Sequence, residues 1–185
     1  MRIAGLDFET SGKLDPTHRI IEACVQVWDY EPLAPPKLVG TKTWRINPER
    51  SIDAAAYAVH HISLEDLAGK PNFGATAPEL MRVLGSCDLI VAHNGESFDK
   101  PYLEMELKRV GYPLASFYDS KWFDTMLDAR WATTWGKVPL LRELCYACDV
   151  EYDPEKAHAA EYDVHCMMQC FFFGLKHGHF ELADT

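Results

Sequence analysis

Two periods organise the hydrophobic and polar positions of this chain. Arg2 to Phe8 is a short apolar run that reaches an acid at Asp7, the pattern of a buried strand. Arg19 to Trp28 alternates, with Ile21, Ala23, Val25 and Val27 on one face, which predicts a second strand. Leu38 to Ile46 predicts a third. Thr10 to Pro16 reads as a turn, and Pro32, Pro35 and Pro36 mark a connection, so the opening is an antiparallel meander. Helical signals follow. Ser63-x-x-Asp66 and Thr76-x-x-Glu79 resemble capping boxes, predicting helices near 64–68 and 77–85. Asp88 to Ala92 reads as a short strand. The polar loop His93 to Ser97 then leads into a helix over about 98–110, stopped by Gly111 and Pro113. A strand over 120–123, helices near 124–130 and 139–147, and a long helix over about 159–175 complete the pattern. The class is α/β: a mixed sheet of about five strands, the first three antiparallel, with helices on both faces.

The 185 residues suit a single domain over 1–185, with its core at about 2–176 and no internal repeat or dividing linker. The longest apolar runs, such as Leu89 to Ala92 and Phe171 to Phe173, fall far short of the ~18 residues of a spanning helix. The N-terminus lacks the charged head and apolar stretch of a signal peptide. Six cysteines in a chain this long do not form a secreted disulfide framework. These features predict a soluble cytoplasmic protein in a reducing compartment, with no membrane partner. The net charge of -10 argues against a general polyanion binder, which needs a basic surface. It leaves open a nucleic-acid enzyme whose acidic site is filled by metal ions.

Three segments carry candidate chemistry. Asp7 and Glu9 lie at i and i+2 of a strand and share one face, where two carboxylates repel unless cations sit between them. Asp99 follows an apolar strand and opens a helix, a place where Asp is often only a cap. His158-Ala-Ala-Glu-Tyr-Asp163 opens a late helix. Five residues on a helix correspond to about 500°, so His158 and Asp163 can converge only if His158 lies on a loop before it. Each segment alone has a bland reading, as strand end, cap or surface histidine.

The order Asp-x-Glu, then Asp, then His-x4-Asp resembles the DEDDh, or DnaQ-like, family of 3′-to-5′ exonucleases over about residues 2–176. Asp7-Phe-Glu9-Thr10, His93-Asn94-Gly-Glu-Ser-Phe98-Asp99 and His158 to Asp163 resemble its three motifs. Val59-His60 followed by Ile62 resembles the Val-His-Gly-Ile segment of the branch containing the epsilon proofreading subunit of bacterial DNA polymerase III. His61 replaces its glycine. The one-residue-longer second motif, and Ala-Glu-x-Asp-Val-His at 160–165, resemble the TREX branch.

The resemblance implies a ribonuclease H-like fold and hydrolysis of DNA or RNA 3′ ends, single strands favoured, to 5′-mononucleotides. Asp7, Glu9, Asp99 and Asp163 would hold two divalent cations, and His158 would act as general base. Oxygen-only ligands suit Mg2+ or Mn2+, and two ions can stabilise attacking and leaving oxygens together. Thr10, Val59, His60, Asn94 and Phe98 would hold the terminal nucleotide or shape its pocket. A polymerase or a second copy of the chain is a candidate partner. The rival readings are a non-catalytic module docking on a polymerase or other partner, and a zinc protein built on Cys145-x2-Cys148 and Cys166-x3-Cys170. Arg130-Trp131 and Trp135-Gly-Lys137 interleave basic and aromatic residues, which suits nucleic-acid contact or simply an anchored surface loop.

Overall fold

Strand β1 (Arg2–Thr10) lies in the middle of the sheet, which is why its apolar side chains are buried on both faces. A computed structural model describes residues 1–182, so 183–185 of the expected single domain fall outside the described residues. β1 pairs antiparallel with β2 (Ile20–Asp29), and β2 with β3 (Lys37–Arg45). On its other side β1 pairs parallel with β4 (Leu89–Ala92), and β4 with β5 (Trp122–Asp124). The order is β3-β2-β1-β4-β5, a mixed five-stranded sheet with an antiparallel opening, as the alternation predicts.

Side-chain alternation divides the core. Ala4, Leu6, Phe8, Ala23 and Val25 face α3 (Phe73–Leu84) and α4 (Asp99–Arg109). Ile3, Cys24 and Trp28 face α6 (Leu141–Ala147) and the long α7 (Ala160–His177). Gly5 lets α7 come close: a Cβ there would lie 2.5 Å from Met168 Cγ and 3.0 Å from Val164 Cγ1. Thus α7 lies directly over the strand that carries Asp7 and Glu9.

Three short helices, α1 (Ala54–His60), α2 (Leu64–Leu67) and α5 (Ala115–Asp119), fill connections. The Ser63–Asp66 capping box is present at α2. The expected box at Thr76 is not. Asn72 caps α3 four residues earlier by accepting from the Ala75 N–H at 3.1 Å, while Thr76 Oγ1 donates to the Asn72 carbonyl. Where a helix is expected over 124–130, residues 125–129 form turns, followed by a 3-10 turn at Arg130–Ala132. There the Asp124 carboxylate takes the Met126 and Leu127 N–H groups at 2.9 and 3.2 Å.

Candidate active site

The carboxyl-terminal end of β1 is where distant acids gather. Asp7 and Glu9 extend from the α7 side of the strand and are half-buried. Asp99, the first residue of α4, is buried and accepts from the Phe8 N–H at 3.2 Å, which ties α4 to β1 between the two acids. Asp163 comes from the first turn of α7. Its Oδ2 accepts from the His158 N–H at 3.0 Å and its Oδ1 from the Tyr152 hydroxyl at 3.4 Å. His158 has a left-handed backbone (φ 64°) on the loop before α7, and its side chain is exposed. That loop position is the one the helical geometry requires if His158 and Asp163 are to approach each other.

All four acids are harder to ionise here than in water. Asp7 is held well above the ordinary carboxylate range, first by burial and then by the charges of Asp99, Glu9 and Asp163. Burial and the charges of Glu22, Asp163 and Asp99 push Glu9 up to about 8. Burial likewise pushes Asp99 up to about 8, although the Phe8 N–H opposes it. Asp163 is also raised by burial, with the His158 N–H opposing. Glu22 stands directly across β2 from Glu9, and Arg45 on β3 stands across from Glu22 and forms an ion pair with it. Arg45 thus offsets a like-charge pair that is otherwise unfavourable in a sheet.

The donor set fits hard divalent cations: four carboxylates supply oxygen only, and their mutual repulsion is relieved by positive charge. They are not closed into a cage. Among the described residues, no group of three or more His, Cys, Asp or Glu side chains stands ready to hold a metal ion. The four helix cysteines are core thiols between α6 and α7, with Cys145 and Cys170 sulfurs 3.6 Å apart.

A cavity of about 700 Å3 opens beside Glu9 and brings together Thr10, Val59, His60 and Phe98. Val59 is exposed and Phe98 half-buried, so neither is ordinary core. His60 also borders a second cavity, of about 650 Å3, lined by His158 and His165. Its Nδ1 accepts from the Ile62 N–H at 2.9 Å, which places the ring proton on Nε2. His61 takes the left-handed backbone (φ 56°) of a helix C-cap, the conformation for which glycine is the usual residue.

Asn94 stands apart from the cavity. Left-handed at φ 69°, it shapes the second-motif loop through its carbonyl, which accepts from Ser97 and Phe98. Sequence reasoning missed the residue that fixes this loop. Buried Asp124 accepts from Asn94 N–H at 3.1 Å and Glu96 N–H at 3.0 Å, besides its own turn. His93 is pinned between Thr125 Oγ1 (3.0 Å) and the Pro139 carbonyl (3.1 Å), and burial pushes it down to about 4. The signal was an acid closing a short strand, which also fits a solvent-facing turn. Tyr152 was likewise missed, because nothing in sequence links it to Asp163.

An α/β sheet with acids from β1, α4 and α7 at one strand end defines a ribonuclease H-like nuclease fold. The family model described as Exonuclease (RNase_T) matches residues 5–171. The epsilon subunit of DNA polymerase III from Rickettsia conorii is 30% identical over 189 aligned positions, covering 97% of this chain and 76% of that protein. Three prime repair exonuclease 2 of Mus musculus is 30% identical over 150, covering 74% of this chain and 63% of that protein. The fold of E. coli exonuclease I, solved with a dT13 oligonucleotide, superposes with a TM-score of 0.76 at 18% identity. It covers 95% of this chain and 41% of that one. The match spans only 6% of the PolC-type DNA polymerase III of Mycoplasma genitalium. The chain belongs to the DnaQ-like 3′-to-5′ exonuclease family and carries that family's enzyme domain.

Proposed function

We propose that this chain is itself a 3′-to-5′ exonuclease that releases 5′-mononucleotides from DNA or RNA ends, single strands favoured, through two Mg2+ or Mn2+ ions. The reading takes residues 1–185 as one exonuclease domain with its core at about 2–176. The observation that carries it is the convergence of Asp7, Glu9, Asp99 and Asp163, from three elements far apart in sequence, at one end of β1 beside a nucleotide-sized cavity. These four would hold the cations, which when bound supply charge stabilisation to the reacting phosphate and a more acidic water.

The chain's own residues do the rest. Val59 and Phe98 line the cavity that would take the last base, with Thr10 and the His60 Nε2–H close by. His158 stands exposed beside Asp163 and accepts the proton of the attacking water. Tyr152 and the His158 N–H hold Asp163 in place. A pocket that encloses one terminal nucleotide requires a paired end to fray first. The relatives named epsilon support a polymerase as partner, and a second copy of the chain is the other candidate. The cytoplasmic, reducing setting accords with cysteines that are all free among the described residues. No helix of the described residues is long and apolar enough to cross a membrane. The non-catalytic reading is not favoured, since all four acids and His158 are present.

The test uses 5′-labelled single-stranded DNA and RNA of one sequence in Mg2+, Mn2+ or EDTA, beside Asp163→Ala. The expected result is a metal-dependent ladder shortening from the 3′ end and lost in the variant. Intact strands in both metals would sink the reading.

A further inference from the structure

We propose that the groove between the 132–137 segment and α6 is the track for single-stranded nucleic acid on the 5′ side of the bond that is cut. The inference rests on the exonuclease reading above and assigns that reading a second binding region. The groove measures about 700 Å3, within the range of about 300–1,000 Å3 typical of ligand clefts. Its inner end is Tyr152, whose hydroxyl donates to Asp163 Oδ1 at 3.4 Å. Tyr152 is thus shared by the groove and the acid cluster.

Its walls have the chemistry of a base-blind single-strand binder. Tyr146, on α6, lines it with 90% of its surface exposed. Trp135, in the segment that forms the opposite wall, is 99% exposed. A large apolar side chain held out in water calls for a partner. The segment that carries Trp135 is not a loose loop. Arg130 donates to the Gly136 carbonyl at 3.0 Å, Thr133 Oγ1 donates to the Lys137 carbonyl, and Trp131 stacks on His179 at 4.2 Å. Trp135 itself takes a left-handed backbone (φ 65°).

Charge agrees. Lys137 and Arg142 line the groove with one acid, Glu143, which Lys137 pairs at 2.7 Å. Arg142 is exposed and has no ion-pair partner among the described residues. The groove is thus net positive on a chain of net charge -10. Bases stack on Tyr146, which needs no particular base edge, and Arg142 meets a phosphate.

Fluorescence anisotropy of a labelled single strand of about a dozen nucleotides, as DNA and as RNA, reads this binding in EDTA without hydrolysis. Tyr146→Ala is expected to weaken binding roughly 5- to 150-fold. Arg142→Ala is expected to flatten the logarithmic salt dependence by about 0.7. A change under about twofold for Tyr146→Ala, on both strands, overturns the proposal. In Mg2+, the ratio of kcat/KM for the strand to kcat/KM for the p-nitrophenyl ester of thymidine 5′-phosphate should fall in Tyr146→Ala, because the ester is too short to reach the groove. If the wild type cleaves neither substrate, the exonuclease reading fails, and the anisotropy still decides the groove.

Discussion

Strand β1 carries Asp7 and Glu9, the Phe8 N–H holds Asp99, and the His158 N–H and Tyr152 hydroxyl hold Asp163. His158 touches Asp163 only through its backbone, and its ring is exposed. His158→Ala should therefore keep the thermal midpoint and lower kcat by about 10²- to 10⁴-fold, the usual contribution of a positioned base. A matching loss of thermal stability would show that the residue is structural. Glu9 and Asp99, raised to about 8, give a pH signature. The folded protein binds more protons than the unfolded chain between the ordinary carboxylate range and about pH 8, so stability falls as pH rises through that window. Calorimetry in EDTA should show a lower midpoint at about pH 9 than at about pH 5.5, and Mg2+ or Mn2+ should raise it more at the higher pH. Asp99→Asn should remove part of the fall while abolishing hydrolysis. A midpoint that climbs steadily with pH in EDTA would contradict the repulsion between these acids.

At the scale of elements, the site depends on how close α7 comes to β1 and how firmly β5 grips the loop before α4. Gly5→Ala places a methyl group 2.5 Å from Met168 Cγ. It should cost about 1–3 kcal/mol by overpacking and reduce activity further by displacing Asp163, visible as a kcat loss at temperatures where circular dichroism shows the variant folded. Asp124→Ala leaves four backbone N–H groups, those of Asn94, Glu96, Met126 and Leu127, without their acceptor. Urea unfolding should report a loss of about 2–4 kcal/mol. Much of this frame was legible beforehand. The strands showed as alternation around Ile21 to Val27, and the loop position of His158 followed from helical geometry once His158 was required to meet Asp163. The rest was not, for identifiable reasons. Helix α1 buries only His60, so Ala54 to Val59 carries no apolar stripe. Thr76 imitates a cap that Asn72 already supplies. The stretch after Asp124 has helical composition, but a carboxylate diverts its N–H groups into a turn.

For the whole molecule, the net charge of -10 sets how it meets a polyanion. With Lys137 paired to Glu143 and Arg142 the unpaired base lining the groove, single-strand binding should fall only gently with salt, with a logarithmic slope near -0.7, about that of one phosphate neutralised. A slope several times steeper, measured by anisotropy from low to moderate salt, would mean that another basic surface carries the strand.

The placement of Asp163 on α7, docked over Gly5, also bears on how the protein is made. A ribosome produces Asp7 and Glu9 well before Asp163, at about 5–20 residues per second. Until α7 emerges the nascent chain therefore lacks one of its four acids. On the proposed reading, hydrolysis waits until α7 has emerged and packed over Gly5.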